Sequence, residues 1–170
     1  MRLSIEHWIS LPPELKQVEP TYTSLRAAEI PTLVGAGSRL YVVAGRVNGV
    51  QGPMALSGGV VFARLQLDAQ ASVALAVEPT PELGVYVLQG QVKVGDNLLA
   101  AGTLGALSSG TLLKISAQGE PVELALLGGR PVQGEVLFSG PFVMDTPARL
   151  EQAKRDFATG RMGRLEGVPF

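Results

Sequence analysis

Short runs rich in valine and leucine recur along this chain, each closed by Gly, Asp or Asn. They cover residues 40–47, 60–67, 72–78, 84–88, 91–94, 111–116 and 122–127. Strands of this length, with a turn signal every several residues, predict a β-sandwich or barrel. The stretch "VLQGQVKVGDNLLAAG" is the clearest case. It reads as a strand to Leu88, a turn at Gln89-Gly90, a strand to Val94, a turn through Gly95-Asp96-Asn97, and a further strand. In "VYVLQGQVKV" the alternation is imperfect and both faces read as apolar, as expected for strands inside a closed or two-layered core.

The ends of the chain follow other patterns. Residues 12–38 contain Pro12, Pro13, Pro20 and Pro31 without sustained periodicity, which predicts an extended arm. Before it, "LSIEHWISL" supplies a strand candidate over residues 3–9, detached from the others. A lone strand is not stable in water, so it is expected to add to a sheet edge. One helix is predicted, over residues 147–158. Thr146 is its N-cap, Pro147 its first position, and Gly160 its left-handed C′ residue. Leu150, Ala153, Lys154 and Phe157 fall on one face. Just upstream, Gly140-Pro141 is expected to end the last strand of the barrel, with Phe142 to Met144 as an apolar anchor before the helix. The predicted organisation is a strand and extended arm over 1–39, a barrel over 40–140, and a helix with its tail packed on the barrel over 141–170.

Composition agrees with a single β-rich domain. At 170 residues the chain is long enough to bury roughly 70% of its unfolded surface without metal or disulfide. It is 46% hydrophobic and 17% charged, with 21 glycines, a balance that favours many short strands and tight turns. The net charge of −1 gives no basic footprint for nucleic acid or an anionic membrane. No apolar run approaches a membrane span, and the N-terminus lacks the apolar core of a signal peptide, so the expectation is a cytoplasmic protein.

Side chains suited to catalysis are scarce. The chain has no cysteine and one histidine, His7. A histidine-based triad or a two-histidine facial metal site therefore cannot be assembled within one copy. Glu78 and Glu82 flank a Pro-Thr-Pro turn, and Glu120, Glu123 and Glu135 are scattered. None has calcium-loop spacing, and solvated loop or strand-edge charges describe them adequately. "LVGAGSRL" has no third glycine and no strand–helix context, and "LLGGRP" lacks the lysine and hydroxyl of a P-loop, so both read as turns. The few aromatic residues do not suggest a stacking platform for single strands.

The strongest motif lies near the C-terminus. "LLGGRPVQGEVLFSGPFVMDTPARLEQAKRDFATGRMG" resembles the C-terminal half of the pirin family, within the cupin superfamily. The matching positions are Gly129, Pro131, Val132, residues 140–146, Gln152, Ala153, Asp156, Phe157 and Gly160. Asp145 stands where that family usually has asparagine, a near-isosteric change expected to keep a local capping role. Leu11, Pro12, Lys16, Pro20 and Tyr22 agree with the family's opening pattern. So do Ile30, Pro31, Gly37, Val43, Ala44, Gly45, Gly49, Gly52 and Pro53, in the same order.

The resemblance implies an all-β fold: a single cupin-type β-sandwich or barrel with a six-stranded sheet, an extended N-terminal arm and one C-terminal α-helix. Pirins are usually bicupins, and their iron site and quercetin 2,3-dioxygenase activity belong to the first barrel, whereas this chain resembles the second alone. Aligning the general cupin motif on Gly90 puts Leu83 at the glutamate position. Its histidine positions fall on Ala76 and Glu78 or on Val77 and Pro79, depending on loop length, and the second motif's histidine falls near Leu113. No ligand is retained, so no catalytic residue, metal ligand or cofactor is expected. The first reading is a metal-free binding or interaction module, as a homodimer or paired with a separate N-terminal cupin chain, whose interface includes Ile5, His7, Trp8 and Ile9. The second is one part of a quercetin 2,3-dioxygenase-like enzyme whose iron lies on another chain. A small apolar ligand within the barrel is a further expectation; nucleic acid and membrane are not.

Overall fold

Each apolar run becomes a strand whose alternate residues enter one shared interior. The computed structural model describes residues 5–79 and 82–163. The chain divides into two compact units: residues 21–131 form one, and the chain's two ends, up to Pro20 and from Val132 onward, form the other.

The larger unit is a two-layered β-sandwich. Its strands are β1 (Thr32–Gly35), β2 (Ser38–Ala44), β3 (Arg46–Val47), β4 (Val50–Gln51), β5 (Val61–Leu67) and β6 (Ser72–Ala76). They continue with β7 (Glu82–Gln89), β8 (Gln91–Val94), β9 (Asn97–Ala100), β10 (Leu104–Leu107), β11 (Leu112–Ala117) and β12 (Val122–Gly129). A six-stranded antiparallel sheet runs β1-β2-β5-β12-β7-β10, and a four-stranded sheet runs β6-β11-β8-β9. The fold is thus the expected cupin-type sandwich rather than a closed barrel, with β1 and β10, and β6 and β9, as open edges.

Burial follows the pleat. In β5, Val61, Ala63, Leu65 and Leu67 are buried while Arg64 is exposed. In β7, Val85 and Val87 are fully buried, whereas Tyr86 and Leu88 on the other face are half-buried. The stretch that reads as apolar on both faces is therefore an ordinary amphipathic strand with a larger outer residue set. Leu65, Leu75, Ile115, Leu124 and Leu126 are essentially inaccessible and form the centre of the core with Val42, Val47, Val85, Val87 and Val92. Each buried leucine contributes about 1.5–3 kcal/mol relative to exposure.

Two features depart from the expected arm and strand. β1 turns back at Ala36-Gly37 and pairs with β2, Thr32 opposite Tyr41 and Gly35 opposite Ser38. Residues 32–39, assigned from proline content to the arm, are already part of the sheet. β3 and β4 form a small hairpin through Asn48-Gly49, both at positive φ (49° and 78°), the conformation that an Asn-Gly two-residue turn favours.

The smaller unit contains β13 (Leu137–Ser139), β14 (Phe142–Met144) and helix α1 (Pro147–Ala158). Gly140-Pro141 is not the end of the sandwich's last strand, which is β12. It is the two-residue turn of a separate hairpin, with Ser139 opposite Phe142. Glycine at φ 56° followed by proline suits a turn whose first central residue alone needs positive φ. Helix α1 packs on this hairpin, burying Leu150 and Ala153. Phe157 meets Phe142 edge-on at 5.6 Å but remains 62% exposed, and Lys154 turns outward to Glu151. The buried stripe is narrower than the predicted four-residue face because two three-residue strands cannot cover it. The helix ends are as predicted: Thr146 Oγ1 accepts from the Arg149 amide, and Gly160 follows the cap residue Thr159 at φ 75°.

Candidate functional site

The positions that the resemblance aligns with cupin ligands lie on or just after β6, on β7 and on β11. The phase of the pleat separates the two candidate pairs. Leu75 is buried and Val77 packs against the core, so Ala76 and Glu78 point outward and are exposed. The inward pair is Val77 and Pro79, and Pro79 is itself exposed at the end of the segment.

Val77 bridges to Val47 of β3, which is fully buried. Leu113 lies opposite Leu75 on β11 and is 7% exposed. Leu83 of β7 is half-buried and packs against the same cluster, as do Val50 and Leu107. The positions that align with ligands thus bring aliphatic side chains into a single hydrocarbon core. Val77, Leu83 and Leu113 carry hydrocarbon side chains, which have no lone pair to offer a metal. Among the described residues, no three His, Cys, Asp or Glu side chains stand close enough together to hold a metal ion. Glu78, next to Val77 in sequence, is exposed and pairs with Arg46 at 3.4 Å.

The β3–β4 hairpin closes this end of the sandwich. Asn48 donates its amide to the Ala76 carbonyl at 2.7 Å, and its Oδ1 accepts from the Ala76 amide at 3.3 Å. Both polar backbone groups at the end of β6 are thereby satisfied, and Val47 is held inward. Sequence reading folds residues 40–47 into one strand and misses this plug; the Asn48-Gly49 dipeptide is the local signal for it.

A polar cluster occupies the outer face of the six-stranded sheet. Arg64 donates to Glu123 at 2.7 Å and lies over the Tyr41 ring at 5.5 Å, while Gln66 donates to Glu123 at 3.4 Å. The Arg64 hydrogen bond holds the Glu123 carboxyl below its ordinary range and, reciprocally, raises the guanidinium. These are structural pairings of side chains on neighbouring strands and present no nucleophile or open coordination position.

The expected interface segment lies in the smaller unit. Ile5, His7, Trp8 and Ile9 are all exposed, Trp8 at 80%. Among the described residues, 5–9 join no ladder; residues 3 and 4 of the expected strand fall outside the described residues. Downstream the arm is anchored to the helix. Arg149 Nη1 donates to the Pro13 carbonyl at 3.1 Å and to Asp145 Oδ2 at 2.7 Å, and Lys16 donates to Ser10 at 3.0 Å. The Asp145 side chain is only 8% exposed, and its hydrogen bond from Arg149 holds the carboxyl below its ordinary range.

Comparison with known proteins agrees with this architecture. Residues 62–163 match the Pirin C-terminal cupin domain. Two pirin-like proteins of Caulobacter vibrioides are 32% and 28% identical over 161 and 159 residues. These alignments cover 91% and 93% of this chain but 56% and 54% of the relatives, so the chain spans about half the length of those proteins. The crystal structure of a quercetin 2,3-dioxygenase from Acinetobacter baumannii superposes with a TM-score of 0.86 at 30% identity, over 92% of this chain and 55% of that one.

Proposed function

Since this chain belongs to the pirin family of cupins, we propose that it is a sandwich with no metal centre of its own, acting by association with another cupin surface. One observation carries this reading: the motif positions Val77, Leu83 and Leu113 supply hydrocarbon to a packed core where a cupin metal would need donors. Converting this interior to a metal site would require several polar substitutions at once, each placing an unpaired polar group in the core.

The association half of the proposal rests on surface chemistry. Trp8 at 80% exposure, beside Ile5 and Ile9 in an extended segment without a ladder, is suited to pairing with a second chain. The partner is a second copy or a separate N-terminal cupin. Light scattering of the purified protein is expected to give a mass above that of one chain. A monomer at micromolar concentration removes the homodimer reading and leaves the separate cupin.

The enzymatic reading has one observation in its favour, the close structural likeness to half of a quercetin 2,3-dioxygenase. In that version the iron is supplied by another chain, so this chain alone does not turn quercetin over, whereas a mixture with its partner does. A small apolar ligand between the sheets is the third reading and would compete with Val77, Leu83 and Leu113 for that space.

A further inference from the structure

The four open edges of the sandwich are not equally guarded. Natural β-proteins discourage edge pairing with charge, lysine above all, or with proline, bulges or a covering element. Beside β1, Val34 has Arg39 as its cross-strand neighbour; beside β6, Ala74 has Lys114; beside β9, Leu98 has Lys93. Strand β10 is the exception. Its residues Leu104, Gly105, Ala106 and Leu107 lie opposite Tyr86, Val85, Gly84 and Leu83, eight residues without a charge or a proline. Among the described residues of this edge, Leu104 is 62% exposed and Ala106 is exposed too.

The hydrogen-bond phase of this edge is fixed by its neighbour. Val87 donates to the Thr103 carbonyl at 3.0 Å, so the alternation of an antiparallel ladder turns Gly105 toward β7. The outward N–H and C=O groups are then those of Leu104 and Ala106. Gly105 carries no side chain because a Cβ there would stand 2.8 Å from Leu99 Cδ1 of the underlying β9.

We infer that β10 is the edge by which a second copy of this chain joins the six-stranded sheet, antiparallel about a two-fold axis at Gly105. This register puts Leu104 of each copy opposite Ala106 of the other, large against small, each pair exchanging two hydrogen bonds. Gly105 faces Gly105 in the narrow pair, where Cα atoms approach to about 4.5 Å. A two-fold contact must be self-complementary, and this strand satisfies that in both backbone and side-chain size. The inference rests on the self-association proposed above and assigns it a location distinct from residues 5–9.

Two experiments test it. Ala106→Pro removes one outward N–H while leaving the ladder to β7 intact, as proline is tolerated at an edge facing solvent. By light scattering it is expected to halve the mass, with an unchanged circular-dichroism spectrum. Because the chain has no cysteine, Leu104→Cys and Ala106→Cys each introduce a single thiol. Opposed across the two-fold these sit about 5.5 Å apart at Cα, within disulfide reach. Oxidation of the two variants mixed is expected to give covalent dimer, and of either alone little. Equal cross-linking in each variant alone, or an Ala106→Pro protein that stays dimeric, overturns the β10 assignment while self-association stands. A wild-type monomer overturns both.

Discussion

Asp145 marks where this chain's own chemistry departs from its family's usual asparagine. The carboxylate accepts from Arg149, which also holds the Pro13 carbonyl, so one residue joins the helix start to the arm. Because the folded-state pKa of Asp145 lies below its ordinary value of 3.8, the pair stabilises the fold at neutral pH. That contribution is lost as pH falls through the depressed value. Asp145→Asn is therefore expected to lower stability at pH 7 and to flatten the acid limb of the stability curve, measured by urea unfolding from neutral pH downward. An unchanged acid limb would contradict the pairing. The i,i+4 spacing of Asp145 and Arg149 is visible in the sequence, but the link to Pro13 is not, because it joins residues 136 apart. In the core, Leu75→Ala is expected to cost about 2–5 kcal/mol in the same assay, as truncation of an inaccessible leucine leaves a cavity.

Among the elements, those specified by local signals were legible and those specified by pairing were not. Helix α1 runs from Pro147 to Ala158 as predicted because Thr146, Pro147 and Gly160 encode both ends within the segment itself. Thr146→Ala should cost about 1 kcal/mol by removing the hydroxyl that accepts from the Arg149 amide; thermal unfolding reads it. The long inward-facing strands were equally plain, since Val and Leu at alternate positions have no other use. Strands β1, β10, β13 and β14 have three or four residues each, and β1 and β10 include glycine, so no periodicity can develop. They exist because a neighbour offers a ladder. The β3–β4 hairpin is intermediate: its Asn-Gly turn is local, while its role in holding Val47 inward depends on Ala76. Asn48→Ala should destabilise by about 1–3 kcal/mol, since it loses both the positive-φ preference and a backbone partner.

At the scale of the molecule, the pirin-type cupin fold is present, and Val77, Leu83 and Leu113, which align with metal-ligand positions, lie in or against one hydrophobic core. That conclusion was available from the motif alignment as a list of residue types. What the sequence left open was which of two loop lengths applied, because the answer depends on the phase of the pleat at Leu75 and Val77. The proposal that this interior holds no metal rests on the packing of Val77, Leu83 and Leu113 together. Metal analysis of the purified protein, prepared in iron-supplemented medium, tests it most directly. The account predicts substoichiometric iron that dialysis removes without loss of thermal stability. A stoichiometric, tightly held metal whose removal lowers the melting temperature would contradict it.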